Sequence, residues 1–219
     1  VEGVLEKECI QLNKRFFTFH QKKRPYIILK WAQTSDGKIG TENGKRILIS
    51  KDYSNRLVHK WRSEEAAIMV GTRTALKDNP SLTTRLWKGK NPIRIVIDND
   101  LKLPLDLKLF NQESKTLILN NIKNSEEQNV QYIKVEEDNF TEKALDCFYD
   151  LNIQSILVEG GAKTLQSFIE ANLWDEARII TNEKMMIGKG INAPDLKSSE
   201  LVGEEKYESD RICYFKNTH

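Results

Sequence analysis

A pair of glycines stands between an apolar run and a helical pattern, where it could expose the backbone to a ligand. The apolar run 156–158 is followed by Glu159, Gly160 and Gly161, and apolar residues recur at helical spacing from position 165. Glycines at such a turn leave no side chain between a phosphate group and the backbone N–H groups of the first helical turn. The pattern predicts a nucleotide phosphate site at residues 161–164. A glycine pair also makes an ordinary strand-to-helix connection, so other parts of the chain must decide between the two.

A lysine lies within the apolar run 26–31, which is otherwise typical of a buried strand. An isolated ammonium group is too costly to bury, so Lys30 must meet either a ligand or an acidic partner. Asp78 and Glu159 are the acidic residues expected as partners in a purely structural ion pair. A place in a ligand site is the alternative, because a polar turn at 34–37 follows the run directly.

The segment 71–85 is unusually rich in hydrogen-bond donors for a connection. It begins at a glycine, contains an Asn-Pro turn and ends at Arg85. Arg62 precedes the neighbouring apolar run, and two guanidinium groups together would suit the planar, multi-donor binding of a phosphate monoester. Each arginine alone is more often a surface ion-pair partner, so a phosphate site formed by both is a hypothesis.

Apolar runs separated by helical intervals are the elements that would position these residues. The runs lie at 26–31, 66–70, 93–97, 116–119, 156–158 and 177–181. Helical patterns occupy a segment that begins after Ser50, which could cap it, and the segment 141–151. This alternation predicts an α/β fold with a mainly parallel central sheet and helices on both of its faces. In such sheets ligands bind outside the carboxyl ends of the strands, where the polar clusters fall.

The pattern changes after residue 181. Segments 185–188 and 211–215 are expected to be strands of an antiparallel hairpin at one edge of the sheet. The polar, acidic segment 125–139 is expected to form solvated connections. At the other end of the chain, the spacing of apolar residues in 1–24 predicts a helix followed by a linker that Pro25 closes.

Composition excludes several classes of protein. The 219 residues carry a formal charge of +2 and no dense basic block, which disfavours a nucleic-acid partner. No apolar run approaches the length of about 20 residues that a membrane-spanning helix needs. Cys9, Cys147 and Cys213 are far apart and form no Cys-x-x-Cys pair, which suits a reducing compartment and provides no metal site. We expect a soluble, cytoplasmic protein.

Four stretches of sequence, in this order, resemble the reductase half of the bifunctional riboflavin-biosynthesis deaminase/reductase family. They are Leu-Lys-Trp-Ala-Gln-Thr-Ser-Asp-Gly-Lys at 29–38, Lys-Asp-Asn-Pro-Ser-Leu-Thr-Thr-Arg at 77–85, Ile-Arg-Ile-Val-Ile-Asp at 93–98 and Val-Glu-Gly-Gly at 158–161. The resemblance implies a dihydrofolate-reductase-like fold and NADPH as the cofactor. It also implies a reaction, the reduction of the ribose of 5-amino-6-(5-phosphoribosylamino)uracil to a ribityl chain.

The resemblance further implies a division of the chain. In that family a zinc deaminase domain with His-x-Glu and Pro-Cys-x-x-Cys motifs precedes the reductase, and neither motif occurs here. We therefore expect residues 1–24 to be the tail of a deaminase domain plus a linker, residues 25–219 to be the reductase domain, and the chain to lack deaminase activity. A first residue other than methionine fits such a fragment. The family resemblance also suggests a homodimer.

Site residues carried over from the resemblance fall into three groups. Lys30 and Asp78 are the expected proton-transfer residues. The resemblance puts the cofactor at Ala32, Leu48, Thr74, Asp78 and the segment Gly161–Ser167, which includes Ala162, Lys163, Thr164 and Leu165. Gly160 of the glycine turn and Asn99, which follows the strand predicted at 93–98, are further cofactor candidates because of their positions. The positions expected to bind the substrate are Arg46, Arg62, Leu82, Arg85 and Glu159. No metal is expected, and Leu48 and Arg46 stand where some relatives have tryptophan and serine.

Two alternatives remain open. Another dihydrofolate-reductase-like reductase, acting on a pterin or a different pyrimidine, would share the cofactor and lack the arginine pair for a phosphate. A non-catalytic nucleotide-binding module would bind NADPH without oxidising it. Activity on phosphorylated and dephosphorylated substrates would test the first alternative, and NADPH oxidation would test the second.

Overall fold

The computed structural model describes residues 3–219, so Val1 and Glu2 of the expected tail lie outside the described residues. In chain order the elements are α1 (Glu6–Leu12), α2 (Lys14–Lys22), β1 (Tyr26–Thr34), β2 (Lys38–Thr41), α3 (Asp52–Glu64), β3 (Ala67–Gly71), α4 (Thr72–Asp78), β4 (Ile93–Ile97), β5 (Thr116–Asn120), β6 (Ser125–Glu127), β7 (Val130–Lys134), α5 (Phe140–Asp150), β8 (Ser155–Val158), α6 (Ala162–Glu170), β9 (Glu176–Asn182), β10 (Gly190–Asn192), β11 (Ser199–Tyr207) and β12 (Asp210–Asn217). A short 3-10 helix, Lys108–Phe110, lies between β4 and β5.

Ten strands of the described chain form one sheet, in the order β11-β12-β9-β1-β8-β3-β4-β5-β7-β6. Neighbouring strands from β9 to β7 run parallel, and the antiparallel pairs lie towards the two edges. The hairpin β11-β12 forms one edge, next to β9. This arrangement confirms the predicted α/β class with a mainly parallel sheet and a C-terminal antiparallel hairpin. A separate small pair joins β2 to β10.

Alternate residues of the strands face opposite sides of the sheet, and helices cover both sides. Ile27 and Leu29 of β1 pack in one core cluster with residues of α5 and α6. Their neighbour Ile28 packs on the other side with Val58 and Trp61 of α3. A third cluster joins β3, β4 and β5 to α4. Each fully buried apolar side chain contributes about 1.5–3 kcal/mol, so these clusters hold the helices against the sheet. The prediction of helices on both faces is confirmed.

The start of α3 differs from the prediction. Lys51, not Ser50, is the N-cap residue. The Lys51 N–H group donates to the carboxylate of Asp210, 2.7 Å away at the start of β12. The expected Ser50 cap is therefore wrong, because a buried carboxylate from near the end of the chain supplies the acceptor at this helix start.

The hairpin at the sheet edge uses a different first strand from the one expected. Residues 185–188 form a loop, and the Gly188 N–H group in it donates to the Asp36 carboxylate at 2.8 Å. The partner of β12 is β11. Sequence patterns miss β11 because it is an outer strand with mostly exposed side chains, and an edge strand needs no apolar face.

The segment 125–139 is not made of connections alone. It contains β6 and β7, and β7 joins the sheet beside β5. The two buried apolar residues of β7, Val130 and Ile133, belong to core clusters on opposite faces of the sheet and therefore give no period-2 pattern. The expectation of solvated connections is wrong for this strand.

The amino-terminal segment forms two helices, and the second packs against the sheet. Phe19 of α2 is buried. Lys14 forms an ion pair with Glu176 at 2.6 Å, and Arg24 donates two hydrogen bonds to Asp175, at 2.6 and 2.8 Å. This segment is therefore attached to the sheet by largely buried contacts. The division of the chain at residue 24 stays a prediction.

The described chain contains neither a membrane-spanning helix nor a cluster of metal-binding side chains. Among residues 3–219, every helix lacks the length or the apolar character needed to cross a bilayer. The same part of the chain has no group of three or more His, Cys, Asp or Glu side chains placed to hold a metal ion. Cys9, Cys147 and Cys213 are free thiols.

Candidate active site

The polar clusters found in the sequence meet at the carboxyl ends of neighbouring parallel strands. β1, β8 and β3 are adjacent in the sheet. Lys30 is the middle residue of β1 and lies one position beyond Leu29, which pairs with Val158 at the end of β8. Glu159 follows β8 directly, and α4 begins directly after β3. Parallel strands place these positions at one edge of the sheet, where ligands bind in α/β folds. The topology thus assembles one site from three distant segments.

The starts of α4 and α6 are in contact at this edge. The Gly161 N–H group donates to Thr74 Oγ1 at 2.9 Å, and the Gly71 N–H group donates to the Gly160 carbonyl oxygen at 3.2 Å. A Cβ atom on Gly71 would lie 2.5 Å from Thr164 Oγ1, so a larger residue would displace the Thr164 side chain at the start of α6. These contacts hold the two helix starts side by side.

Gly160 leaves the backbone open between β8 and α6. Its φ of +123° is strained for any residue with a side chain, and no heavy atom of residues 3–219 beyond its chain neighbours lies within 4 Å of where a Cβ would stand. The N–H groups of Ala162, Lys163 and Thr164 lie in the first turn of α6, where the helix itself offers them no acceptor. Together with the positive end of the helix, they could bind a diphosphate.

Other expected cofactor positions have different surroundings. Leu165 is fully buried in the core, and its N–H group donates to the Gly161 carbonyl oxygen at 3.1 Å, so it supports the turn. Ala32 is half-buried near the end of β1. Asn99 follows β4, and its Oδ1 atom is buried without a hydrogen-bond partner in the described chain. An unpartnered buried oxygen is costly, so Asn99 could accept a hydrogen bond from a ligand.

Glu159 is the centre of a buried ion-pair cluster. Its carboxylate accepts hydrogen bonds from Nε and Nη2 of Arg62, each at 2.7 Å. The Nζ atom of Lys30 lies 3.9 Å from the same carboxylate, and the side chains of Lys30 and Glu159 are 13% and 8% exposed. The ion pair considered for Lys30 therefore exists, with Glu159 as its acidic partner.

The charges in this cluster shift each other's pKa values. Burial raises the pKa of Glu159, but the positive charges of Arg62 and Lys30 outweigh that effect and lower it to about 2. Burial lowers the pKa of Lys30; Glu159 opposes the lowering and Arg62 adds to it. Glu159 is thus a fixed anion at neutral pH, and the ammonium group of Lys30 releases its proton more readily than that of an exposed lysine.

Asp78 is the other residue expected to transfer protons, and it is the last residue of α4. Its side chain is half-buried. The acidic group within ion-pair distance of Lys30 is Glu159 rather than Asp78. The two expected proton-transfer residues therefore come from different segments and are not joined to each other by an ion pair in the described chain.

The arginines expected to hold a phosphate have unequal surroundings. Arg62 is occupied by Glu159, and its Nη1 also donates to the Thr83 carbonyl oxygen at 3.2 Å. Arg85 is exposed, and no carboxylate within residues 3–219 forms an ion pair with it. Leu82 lies in the same loop and is buried in the core, with a φ of 53°. Arg85 is therefore the arginine whose guanidinium group is available to a phosphate.

The segment between β2 and α3 carries Arg46 and Leu48. Both side chains are exposed, that of Leu48 by 74%. This segment reaches α4, because a Cβ atom on Gly44 would overlap Nζ of Lys77. The structure thus brings the segment beside α4, while Arg46 and Leu48 themselves face solvent.

His59 belongs to the same cluster and was missed by the sequence patterns. It lies on α3 one turn before Arg62 and is 4% exposed. Burial and the charges of Arg62 and Arg85 lower its pKa to about 4, although Glu159 and the Thr83 backbone oppose the lowering. The i, i+3 spacing of His59 and Arg62 on a predicted helix is the signal that could have revealed it.

Comparison with known proteins places the chain in a family. The sequence model of the RibD C-terminal domain matches residues 25–206. The chain is 35% identical over 229 residues to the riboflavin biosynthesis protein RibD of Aquifex aeolicus (strain VF5), and the alignment covers 98% of this chain and 64% of that protein. It is 34% identical over 173 residues to the 2,5-diamino-6-ribosylamino-4(3H)-pyrimidinone 5′-phosphate reductase of Archaeoglobus fulgidus, covering 71% of this chain and 79% of that protein. The chain thus spans less than two thirds of the RibD relative.

A solved structure has the same fold. The diaminohydroxyphosphoribosylaminopyrimidine deaminase/5-amino-6-(5-phosphoribosylamino)uracil reductase of Thermotoga maritima matches with a TM-score of 0.88 at 30% identity, over 99% of this chain and 63% of that protein. This similarity confirms the fold class expected from the sequence, including its dihydrofolate-reductase-like arrangement.

Proposed function

The chain belongs to the RibD C-terminal domain family, and on that premise we propose that it is an NADPH-dependent reductase of riboflavin biosynthesis. It reduces the ribosyl group of 5-amino-6-(5-phosphoribosylamino)uracil to the ribitylamino product. The observation that carries the proposal is the position of Glu159. Its carboxylate binds Arg62 and lies beside Lys30, and the Gly160-Gly161 turn follows it directly in the chain. Substrate and cofactor sites therefore adjoin at one residue.

A nicotinamide dinucleotide fits the residues at the starts of α4 and α6. The first-turn N–H groups of α6 suit its diphosphate, and Gly160 places no side chain in the way. Thr74 fixes the turn through its contact with Gly161, and Asn99 offers an unpartnered amide oxygen. When bound, NADPH supplies the hydride that the electrophilic C1′ of an opened ribosylamine accepts.

The chain's own residues handle the protons and hold the substrate. When the C1′–O4′ bond breaks, the amine nitrogen forms a double bond to C1′ and O4′ takes up a proton. Lys30 is suited to donate that proton because its pKa is lowered, chiefly by burial. The charged carboxylate of Glu159 accepts hydrogen bonds from the amino-pyrimidine or from the opened ribose. Asp78 is the second proton-transfer residue.

The 5′-phosphate of the substrate is assigned to the loop that ends at Arg85. That guanidinium group is exposed, whereas Arg62 is held by Glu159. Arg62 therefore serves mainly to orient Glu159, with Arg46 and Leu82 as further positions on the substrate side. A phosphate monoester bound at Arg85 would gain a bidentate, charge-assisted contact.

NADPH oxidation with each candidate substrate tests this function. The expected result is rapid oxidation with the phosphorylated 5-amino-6-ribosylamino-uracil, at least about tenfold slower turnover with its dephosphorylated form, and slower turnover with NADH. The substrate named for the Archaeoglobus fulgidus relative, the 2,5-diamino compound, is assayed beside it, and the faster of the two identifies the natural substrate class. NADPH binding without oxidation in any of these assays would favour a non-catalytic module.

Assembly and location complete the proposal. We propose a homodimer in the cytoplasm and, in longer relatives, fusion to an N-terminal zinc deaminase domain. The outer strand β11 exposes Leu201 by 51% and Val202 by 47%, and such an edge offers a surface on which two copies can meet. Light scattering of the wild-type chain and of a Val202→Lys variant tests this: a monomeric wild type would contradict the dimer.

A further inference from the structure

His59 is a buried polar side chain that the proposed reaction leaves without a task. It is 4% exposed, and its Nδ1 atom is buried with no hydrogen-bond partner in residues 3–219. A ring nitrogen in that condition loses its hydration without compensation. Its position on α3, one turn before Arg62, puts it in the charged cluster rather than in the apolar core.

Charged groups from four elements surround His59 directly or through a shared partner. Arg62 lies on its own helix, Arg85 on the loop after α4, and Glu159 after β8. Lys30 of β1 faces the Glu159 carboxylate. Three cations thus stand against one carboxylate, and the imidazole is the group that responds to this imbalance. Burial and the two arginines lower its pKa to about 4, so the ring is uncharged at neutral pH.

We propose that His59 is a binding residue for the phosphate group of the substrate, uncharged in the free chain and protonated when a phosphate dianion lies beside Arg85. The inference rests on the proposed function, in which Arg85 binds the 5′-phosphate. Three cations and one carboxylate leave a net charge of +2, and the two negative charges of a dianion cancel it, which favours the imidazolium form. The protonated ring has N–H groups at both nitrogens, so Nδ1 gains a hydrogen-bond partner in the complex. The proton comes from solvent.

Proton uptake makes substrate affinity depend on pH. Because the complex holds up to one proton more than the free chain, affinity rises as the pH falls from about 8.5 to about 6.5, by at most about tenfold per pH unit. Below about pH 6 the free phosphate takes up a proton of its own, and the trend ends.

Nitrogen-15 NMR of the histidine side chains tests the inference directly. The chain has three histidines, and the exposed His20 and His219 serve as internal references. The probes are ribose 5-phosphate and ribose. At constant pH near 7, ribose 5-phosphate should move the His59 nitrogen signals to the positions of the charged ring, while ribose and the two reference histidines show no change. Unchanged His59 signals at saturating ribose 5-phosphate, or no binding of it, would overturn the inference.

Two variants separate charge from packing. His59→Gln keeps hydrogen-bonding groups but cannot be charged, and it should bind ribose 5-phosphate about tenfold more weakly at pH 6.5 with no dependence on pH up to 8.5. His20→Gln is the matched control and should behave as wild type. If His59→Gln kept the wild-type pH dependence of its affinity for ribose 5-phosphate, the proposal would be wrong. If that variant does not fold, the NMR result on the wild-type chain decides alone.

The two proposals fail in distinguishable ways. A His59 response without NADPH oxidation on any pyrimidine would support the histidine site and refute the reductase. NADPH oxidation together with His59 signals that ribose 5-phosphate does not change would refute the histidine site and leave the reductase proposal in place.

Discussion

Two buried clusters of charged residues differ in how closely their charges are paired, although Lys30 of the first and Arg178 of the second are register partners on the neighbouring strands β1 and β9. The carboxyl-end cluster consists of Lys30, Arg62 and Glu159. The amino-end cluster, at the starts of β3 and β9, consists of Lys14, Arg15, Glu65, Glu176 and Arg178.

Each cation of the amino-end cluster has a close acidic partner. Glu176 contacts Lys14 at 2.6 Å and Arg178 at 2.7 Å, and Glu65 pairs with Arg15. In the carboxyl-end cluster Lys30 stays 3.9 Å from its acidic partner. A tightly paired cluster fixes α2 to the sheet, whereas a loosely held ammonium group can exchange its proton with a ligand. The comparison predicts that one cluster supports stability and the other supports chemistry.

The largest effect should come from removing the loosely held lysine. Lys30→Met is expected to lower turnover by about 100- to 10,000-fold, because the proton donor to O4′ is lost, while the free energy of unfolding changes little. Lys14→Met is the matched control in the other cluster and should lower the melting temperature without lowering turnover. If Lys30→Met retains activity, or if both variants lose activity equally, the two clusters do not differ in function as predicted.

Glu65 tests the stabilising cluster. Its side chain has no exposed surface and faces both Arg15 and Arg178. Glu65→Gln removes the close counter-charge of Arg15, whereas Arg178 keeps Glu176 at 2.7 Å. We expect a loss of about 1.5–3 kcal/mol in the free energy of unfolding measured with urea, the contribution of a hydrogen bond to a charged group. Turnover of the folded fraction should stay within about twofold of wild type. An unchanged urea midpoint would contradict this account.

Acid should weaken the same cluster in a defined pH window. Burial raises the pKa of Glu176, but Arg178 and Lys14 outweigh it and lower the pKa to about 2. In the unfolded chain the carboxyl titrates near about 4.3. Because the folded pKa is the lower one, this stabilisation is complete above the unfolded pKa and is lost as the pH falls from about 4 to about 2, by about 3 kcal/mol.

The free energy of unfolding, measured between pH 4 and pH 2, tests whether stability falls with pH as predicted. Glu176→Gln should flatten the part of the acid transition that this carboxyl contributes, and Glu159, whose pKa is also lowered to about 2, should contribute with the same sign. If the wild-type protein became more stable as the pH fell from 4 to 2, the prediction would be wrong.

The smallest effect on catalysis is expected from the contact between Thr74 of α4 and Gly161 at the start of α6. Thr74→Val removes the acceptor for the Gly161 N–H group and should raise the KM for NADPH about fivefold, through a net change of about 1 kcal/mol. Thr72, two residues earlier, donates its hydroxyl to the Ile97 carbonyl oxygen instead. Thr72→Val should therefore leave that KM unchanged, and equal effects of the two variants would count against a cofactor role for this turn.

Local patterns in the sequence were enough to predict much of the carboxyl-end cluster. A lysine inside an apolar run and a carboxylate before a glycine pair are anomalies within a few residues, and the parallel topology brings them together. The amino-end cluster has no such signal, because Lys14 and Glu176 are 162 positions apart and each is an ordinary charged residue in its own segment.

Local sequence patterns also predict some strands of the sheet and miss others. The central strands were predicted from continuous apolar runs, which mark burial on both faces. β7 and β11 lie near the edges, where a strand needs few apolar residues, and their pairing is set by neighbours that no local pattern reveals. His59 was missed for another reason: its i, i+3 spacing to Arg62 is a weak signal in the sequence, and only the fold shows that its Nδ1 atom is buried without a partner in the described chain.

The contact between Asp210 and the start of α3 ties the site to the last strand of the chain. α3 carries both His59 and Arg62, and its first turn is anchored through the Lys51 N–H group. A truncation or a fusion that loosens β12 would free this helix to shift. Loss of activity would then be mistaken for damage to a catalytic residue, although every residue in the site was intact. Affinity tags are therefore better placed on the amino-terminal side, and Asp210→Asn is the variant to compare with any shortened form.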